Sequence, residues 1–300
     1  MTHKIKIKPN WITGFVDGDG CFLIRKTLSG LRFSFVVSQD KQSVDSLLEL
    51  NKFFQCGNIR PAGRNMLEYS VGKFEHIANI IIPFFEKYPL LSFKQKDFMS
   101  FCHIFKEYRS YRQKNPRTPN YNKTLAASMR KHFENLLGKY RQARKKEPVD
   151  NNICEAHYPP VGSVTITNDW FAGFTDAEGC FYVSIVKDYP RPQFILGLHP
   201  RDYPLIQSLK QFLGCGTTWI RKDGAHIFQV NRINELILKL IPIIEAGGGL
   251  RTTKQLDFNK FKEIVKLISQ KLHLTDHGLE RIKRLKQAMN RGRVMKVNSV

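Results

Sequence analysis

Two carboxylates stand at the same place in two related segments. Asp19 lies in WITGFVDGDGCF (residues 11–22) and Glu178 in WFAGFTDAEGCF (residues 170–181); seven of twelve positions are identical, and an eighth exchanges the two acids, at an offset of 159. A single such turn would be a helix stop with solvated acids. Duplication changes the reading, because related units associate about a pseudo-twofold axis and elements near that axis meet their counterparts. Carboxylates brought side by side repel, and a hard divalent cation such as Mg²⁺ relieves the repulsion. Each motif also carries a glycine, Gly14 or Gly173, inside what reads as a short helix. A mid-helix glycine costs about 1 kcal/mol relative to alanine, and close backbone contact between the two helices is the reason expected for it. Both acids sit at the negative end of a helix dipole, so a positive group is expected beside them.

The repeat extends well beyond the motif. At the same offset Phe35 pairs with Phe194, Cys56-Gly57 with Cys215-Gly216, and Ile82-Pro83 with Ile241-Pro242; Lys94 to Phe98 then meets Lys254 to Phe258 at an offset of 160. Each motif helix should be capped by Asn10, or by Asn168 and Asp169, and halted by Gly20 or Gly179 at C′. Paired strands follow: 21–28 with 31–38 around Ser29-Gly30, and 180–187 with 192–198 around a Pro-containing loop. A helix comes next (45–54; 203–213), then a second strand pair (58–61 with 67–72; 217–221 with 226–231). Helical stretches at 74–87 with 94–108, and 233–245 with 254–270, close the units. The fold class is therefore α+β: two pseudo-symmetric αββαββα units, each an antiparallel sheet covered by helices on one face. The expected division is a first unit over 1–108, a basic linker over 109–160, and a second unit over 161–300. Between Arg109 and Lys146 there are twelve lysines and arginines against the single acid Glu134. That stretch, with a helix expected over 123–144, either follows a polyanion or is a solvated basic helix. A capped basic helix is expected over 275–289.

Forty-eight lysines and arginines against 26 acids leave a charge of +22 on a 34.8 kDa chain. Such a surplus repels itself unless a polyanion neutralises it, and nucleic acid is the partner it suits. No long apolar span or aromatic-rich basic amphipathic helix supports a membrane partner. The start, MTHKIKIKPN, is basic without an apolar run behind it, so neither a secretory signal nor disulfides are expected. The six cysteines form no CxxC pair and read as small buried hydrophobes.

GFVDGDG and GFTDAEG resemble the LAGLIDADG motif of homing endonucleases, in the branch that carries two motifs on one chain, and are most similar to the monomeric enzymes encoded in fungal mitochondrial introns. The resemblance covers nearly the whole chain. It implies the homing endonuclease fold and a site-specific endonuclease that hydrolyses both strands of a long, nearly asymmetric DNA duplex and leaves short 3′ overhangs. Mg²⁺ would be the cofactor, with Ca²⁺ supporting binding without cleavage. Asp19 and Glu178 would bind the metals, helped by the carbonyls of Gly18 and Ala177, while Asp17 and Asp176 cap or hydrogen-bond locally. Lys94 and Lys254 correspond to lysines that stabilise charge or tune the attacking water; the alternative is basic residues that simply start a helix near phosphate. Gln39 stands where the family often has a water-positioning glutamine. Copy two departs here, with Leu198 followed by His199, which either compensates or is a surface histidine. Some relatives assist splicing of their own intron, so intron RNA is an alternative partner, and a DNA-binding module without catalysis is a third reading. The implied location is the mitochondrion, for an organelle-encoded product with no import signal visible.

A twisted sheet with one free face fits the major groove, with alternate residues meeting base edges. With Phe22 and Phe181 facing the core, period two puts Cys21, Leu23, Arg25 and Thr27 on the DNA side of copy one, with Arg32, Ser34, Val36 and Ser38 on the paired strand. In copy two the same rule selects Cys180, Tyr182, Ser184 and Val186, with Arg191, Gln193, Ile195 and Gly197. The second strand pairs add Asn58, Arg60, Glu68 and Ser70, and Trp219, Arg221, Ile227, Gln229 and Asn231. Among these, Arg25, Arg32, Arg60 and Arg221 suit guanine, and Gln193 and Gln229 suit adenine; phosphate contact is the alternative for any surface arginine.

Overall fold

The computed structural model describes residues 7–27, 30–114, 131, 133–135, 137–138 and 165–290. Two four-stranded antiparallel sheets dominate it, ordered β1-β2-β4-β3 and β5-β6-β8-β7. The strands are β1 (Gly20–Thr27), β2 (Gly30–Asp40), β3 (Asn58–Pro61), β4 (Met66–Val71), β5 (Cys180–Val186), β6 (Tyr189–Leu198), β7 (Thr217–Ile220) and β8 (His226–Val230). Motif helices Pro9–Asp19 and Asn168–Glu178 precede the sheets, and helices Val44–Phe54 and Tyr203–Leu213 join their halves. Each unit then closes with an irregular helix and a longer one starting at Lys94 or Lys254. No described helix is long and apolar enough to cross a membrane.

Aromatic side chains build the first core. Phe22 on β1 packs on Phe85, Phe98 and Phe101, and Phe33 on β2 packs on Phe101, Phe105 and Tyr108. In the second unit Phe181 repeats the pattern against Phe258 and Phe261. Strand alternation means that the opposite face of each sheet stays out of these cores.

Several expectations are corrected. The motif helices start one or two residues from where they were read: Lys8 and Thr167 are the N-caps, Pro9 supplies a ready-made first turn, and Thr167 Oγ1 accepts the amide of Trp170. Gly20 and Gly179 are not left-handed stops, with φ of −82° and −70°. They are small because the chain passes straight from helix into strand, where a Cβ on Gly20 would lie 2.4 Å from Val16. The second hairpin turns on Lys187 and Asp188, both with positive φ, and Pro190 and Pro192 lie inside β6. They are tolerated because β8 pairs with β6 only from Phe194 onward, so a missing N–H there breaks no ladder. In each unit a π-helical turn, Ile77–Ile81 or Leu236–Leu240, precedes the matched Ile-Pro pair, whose proline cannot donate to a regular α turn.

The helix beginning at Lys94 continues to Lys114, past the boundary expected at 108. Residues Phe133 and Leu137 of the expected linker are buried in the first core, with Phe133 against Tyr108 and Tyr111. The remainder of the helix expected over 123–144, and Cys154, lie outside the described residues. Helix Asp276–Gln287 forms as expected, its cap Thr275 accepting from Gly278. Of the cysteines, Cys56, Cys102 and Cys215 are buried, but Cys21 is half-buried and Cys180 exposed. Both lie on the open faces of their sheets, which periodicity had already assigned to them.

Candidate active site

Among the described residues the two motif helices make the most extensive helix–helix contact. Their glycines set the distance: a Cβ on Gly14 would stand 2.0 Å from the carbonyl oxygen of Trp170, and one on Gly173 would stand 2.0 Å from that of Trp11. At the far end of the contact, a Cβ on Gly18 would meet Ala177 Cβ at 2.2 Å and Glu178 Oε1 at 3.3 Å. Backbone approach this close brings the two helix ends, and with them Asp19 and Glu178, into one polar cluster.

The positive groups expected beside the helix ends are Lys94 and Lys254. Lys94 Nζ donates to the carbonyls of Val16 and Gly18 at 2.8 and 2.7 Å; Lys254 Nζ donates to those of Thr175 and Ala177, both at 3.1 Å. Each lysine thus caps the last turn of its own motif helix, satisfying carbonyls that the helix leaves open. Across the interface the pairing is crossed: the lysine that most favours ionised Asp19 is Lys254, and for Glu178 it is Lys94. Burial pushes the pKa of both acids up, and for Glu178 the charge of Asp19 raises it further. Burial pushes both lysines down, against the pull of the surrounding acids.

The first acid of each motif does a different job. Asp17 accepts from the amides of Leu91 and Ser92, at 2.8 and 2.9 Å, and from Ser92 Oγ. Asp176 does the same for Arg251, Thr252 and Thr252 Oγ1. These bonds reach 74 to 76 residues along the chain, so they are not local. They tie the turn that starts each lysine helix to the motif helix. Burial pushes the carboxyl of Asp17 up, and that of Asp176 up to about 6.

The halves are not equal. Trp170 Nε1 donates to Asp17 at 2.9 Å across the interface, whereas the equivalent Trp11 Nε1 is buried with no partner among the described residues. Gln39 Nε2 donates to Asp19. At the matched place beside Glu178 the side chain is Leu198, buried in the second core. His199 Nδ1 accepts the amide of Arg201 and caps the next turn. The turn before the second-unit helix supplies Asp202, whose Oδ1 accepts the amide of Phe93 at 2.7 Å, where the first unit has Ser43 accepting from Thr253 at 3.2 Å.

The structure therefore gathers Asp19, Glu178, Lys94, Lys254, Gln39, Gly18 and Ala177 in one place. Reading the sequence missed Trp170, Ser92, Thr252 and Asp202. For Ser92 and Thr252 a signal existed, since both precede the matched lysines by two residues.

The sheet faces follow period two. Cys21, Leu23, Ser34, Ser38, Glu68 and Ser70 are half-buried and Arg25, Thr27, Arg32, Asn58 and Arg60 exposed; in the second unit Ser184, Gln193, Ile195 and Gln229 are half-buried and Cys180, Tyr182, Val186, Arg191, Gly197 and Trp219 exposed. Val36 and Ile227 depart from the expectation. Both lie on the open face by register, opposite Cys21 and Trp219 respectively, yet they are 5% and 3% exposed because neighbouring side chains cover them. Arg221 and Asn231 lie just beyond the strands, both exposed. Arg60 is held by Glu68, with N···O distances of 3.0 and 2.6 Å, and Arg221 by Asp223, at 2.8 and 2.6 Å. Arg25 and Arg32 stand directly opposite each other on β1 and β2. Like charges so placed destabilise a sheet unless an anion lies over them.

The sequence profile of the LAGLIDADG endonuclease family matches residues 12–105 and 171–265, one match for each repeat. "Probable intron-encoded endonuclease 2" of Neurospora crassa is 28% identical, over 94% of this chain and 65% of that protein. "Probable intron-encoded DNA endonuclease 1" of Mycosarcoma maydis is 21% identical, over 82% of this chain and 94% of that protein. The chain thus spans just under two thirds of the length of the first relative and nearly all of the second. Of solved structures, the I-LtrWI LAGLIDADG homing endonuclease bound to target DNA superposes with a TM-score of 0.78 at 29% identity, covering 95% of this chain and 99% of that one. The LAGLIDADG homing endonuclease I-GzeII in complex with its DNA target gives 0.78 at 27%, covering 96% and 100%.

Proposed function

The chain belongs to the LAGLIDADG endonuclease family, and from that premise we propose that it is a site-specific homing endonuclease that cuts both strands of a long, nearly asymmetric DNA duplex with the help of Mg²⁺ and leaves short 3′ overhangs. The observation that carries this reading is the convergence of Asp19 and Glu178, one from each repeat, between two half-buried lysines. A DNA-binding module has no use for two acids that burial pushes toward the neutral form, one of them pushed further by the charge of the other.

The donor set suits a hard cation. Among the described residues no group of three or more histidines, cysteines or acids is gathered, so the charged protein ligands would be Asp19 and Glu178, joined by the carbonyls of Gly18 and Ala177. Mg²⁺ is commonly held in this way, by one or two carboxylates with the remaining positions left to water and substrate phosphate. Each carbonyl oxygen has two lone pairs, so accepting from a lysine leaves one for a metal. Bound there, the metal would supply an activated water and neutralise charge on the scissile phosphate and the leaving 3′ oxygen.

The chain's own residues do the rest. Asp17 and Asp176 fix the turns from which Lys94 and Lys254 reach the cluster, and the lysines present positive charge where negative charge develops. Gln39 orients the carboxylate of Asp19. The open sheet faces lie along the duplex: Arg25 and Arg32 meet phosphate or guanine, Gln193 and Gln229 meet base edges, and the surplus of +22 is neutralised by the backbone. Both units lie on one chain, so the active unit is a monomer. The proposed location is the mitochondrion, by kinship with intron-encoded relatives, and intron RNA is the alternative ligand.

Incubation with a randomised duplex library tests the reading. Cut ends are expected in Mg²⁺ and retention without cutting in Ca²⁺, with weaker retention of structured intron RNA. A library of adequate coverage that is bound in Mg²⁺ yet never cut would leave only a binding module.

A further inference from the structure

The turn that launches each lysine helix is gripped from two sides. Its own unit holds it through Asp17 or Asp176. The opposite unit holds it through the short turn after β2 or β6: Ser43 accepts from Thr253 N at 3.2 Å, and Asp202 accepts from Phe93 N at 2.7 Å. The two grips are built differently: on the Lys254 side Arg251 also pairs with Glu49 of the first unit at 2.6 Å and lies over the Trp11 ring. Asp202 is a buried carboxylate where its counterpart is a hydroxyl, and the guanidinium of neighbouring Arg201 lies over the Phe93 ring, 4.8 Å from its centroid. Arg201 Nε stands 3.8 Å from Asp202 Oδ2, so the pair closes on the backbone and ring of one residue. Phe93 immediately precedes Lys94, whose ammonium spans 2.7 and 2.8 Å bonds to the end of the first motif helix.

We propose that Asp202 is a positioning residue for Lys94: from the second unit it anchors the amide of Phe93 and thereby aims the first unit's lysine at the shared acids. This rests on the nuclease reading above. It has a chemical rationale, because Lys94 caps one unit while facing Glu178 of the other, and only a contact between the units can hold both relations at once. A charged acceptor on an amide makes a stronger hydrogen bond than a hydroxyl does.

The test uses the full-length protein and a duplex that the wild type cuts after library selection; if no such duplex is found, the nuclease reading fails before this one is reached. Asp202→Ala is expected to lower the single-turnover cleavage rate in Mg²⁺ by roughly 10- to 100-fold, the scale on which a misplacement of about 1 Å acts. Affinity for the same duplex in Ca²⁺ should stay within about twofold, because the residue lies away from the sheet faces. Asp202→Asn keeps an oxygen acceptor in the same place, and Asp202→Ser restores the side chain found in the other half; both should cut within about threefold of wild type. A purely structural role would lower rate and affinity together. Thermal melts establish that each variant is folded at the assay temperature. Should the alanine protein fail that check, the asparagine protein decides alone: folded and near wild type in rate, it supports the anchor. A folded asparagine variant slowed more than tenfold, or a folded alanine variant cutting at the wild-type rate, overturns the proposal.

Discussion

The carbonyl oxygen of Trp170 lies 2.0 Å from the point a Cβ on Gly14 would occupy, and the same relation holds between Trp11 and Gly173. At these two points no side chain fits between the helices, and their register follows from that pair of contacts. Backbone contact at the two glycines brings the helix ends that carry Asp19 and Glu178 into one cluster.

Gly14→Ala or Gly173→Ala should accordingly destabilise the protein by about 3 kcal/mol or more, since backbone rather than a flexible side chain must give way. Chemical denaturation measures it. A loss below about 1 kcal/mol would mean that the helices can separate at little cost.

Trp170 and Trp11 are matched in sequence but not in bonding. Replacing either by phenylalanine removes similar volume, but Trp170→Phe also takes a donor from buried Asp17, while Trp11→Phe removes an N–H that has no partner among the described residues. Trp170→Phe should therefore cost at least about 1 kcal/mol more than Trp11→Phe. Equal costs in paired unfolding curves would remove the significance of the Asp17 bond.

Asp19→Asn and Glu178→Gln keep shape and remove charge. Each should abolish cutting in Mg²⁺ while leaving duplex binding within a few-fold of wild type in a filter assay. Cleavage at the wild-type rate by either variant excludes that residue from the reaction.

Gln39 donates to Asp19, and among the described residues no equivalent donor meets Glu178, because Leu198 is turned into the core. Gln39→Leu makes the halves alike, and it should slow one strand by roughly 10- to 100-fold, as loss of a supporting contact behind a metal ligand does. End-labelled duplexes would show a nicked intermediate building up. Equal slowing of both strands would show that the glutamine serves the whole site.

Arg221 is held by Asp223, whose own pKa is drawn down to about 2 by that partner. Both groups stay charged across the working pH range, so DNA competes with Asp223 for the arginine. Asp223→Asn should tighten duplex binding and steepen the plot of log K against log salt by about one unit, the signature of one more phosphate contact. An unchanged slope would place Arg221 away from the backbone.

Much of the fold was legible because its causes are local. Period two in 21–28 and 180–187 marked which strand face is buried, and helix 203–213 was read to the residue because its apolar spacing and Gly214 bound it. Repetition at an offset of 159 made the two acids equivalent before any geometry was known. The turns at Lys187-Asp188 and the extended Gly20 were less legible, since a backbone angle depends on what the chain must meet next.

The sequence by itself determined the duplication, the α+β pattern, the identity of the paired acids and the basic character that calls for a polyanion, all of which are properties of composition, period and spacing. Only the tertiary structure decided which groups meet across the interface, Trp170 with Asp17 and Asp202 with the amide of Phe93, and that Leu198 turns inward. Those contacts join segments 109 and 153 residues apart. They depend on ångström-scale docking of two packed units, and no spacing along a chain encodes that.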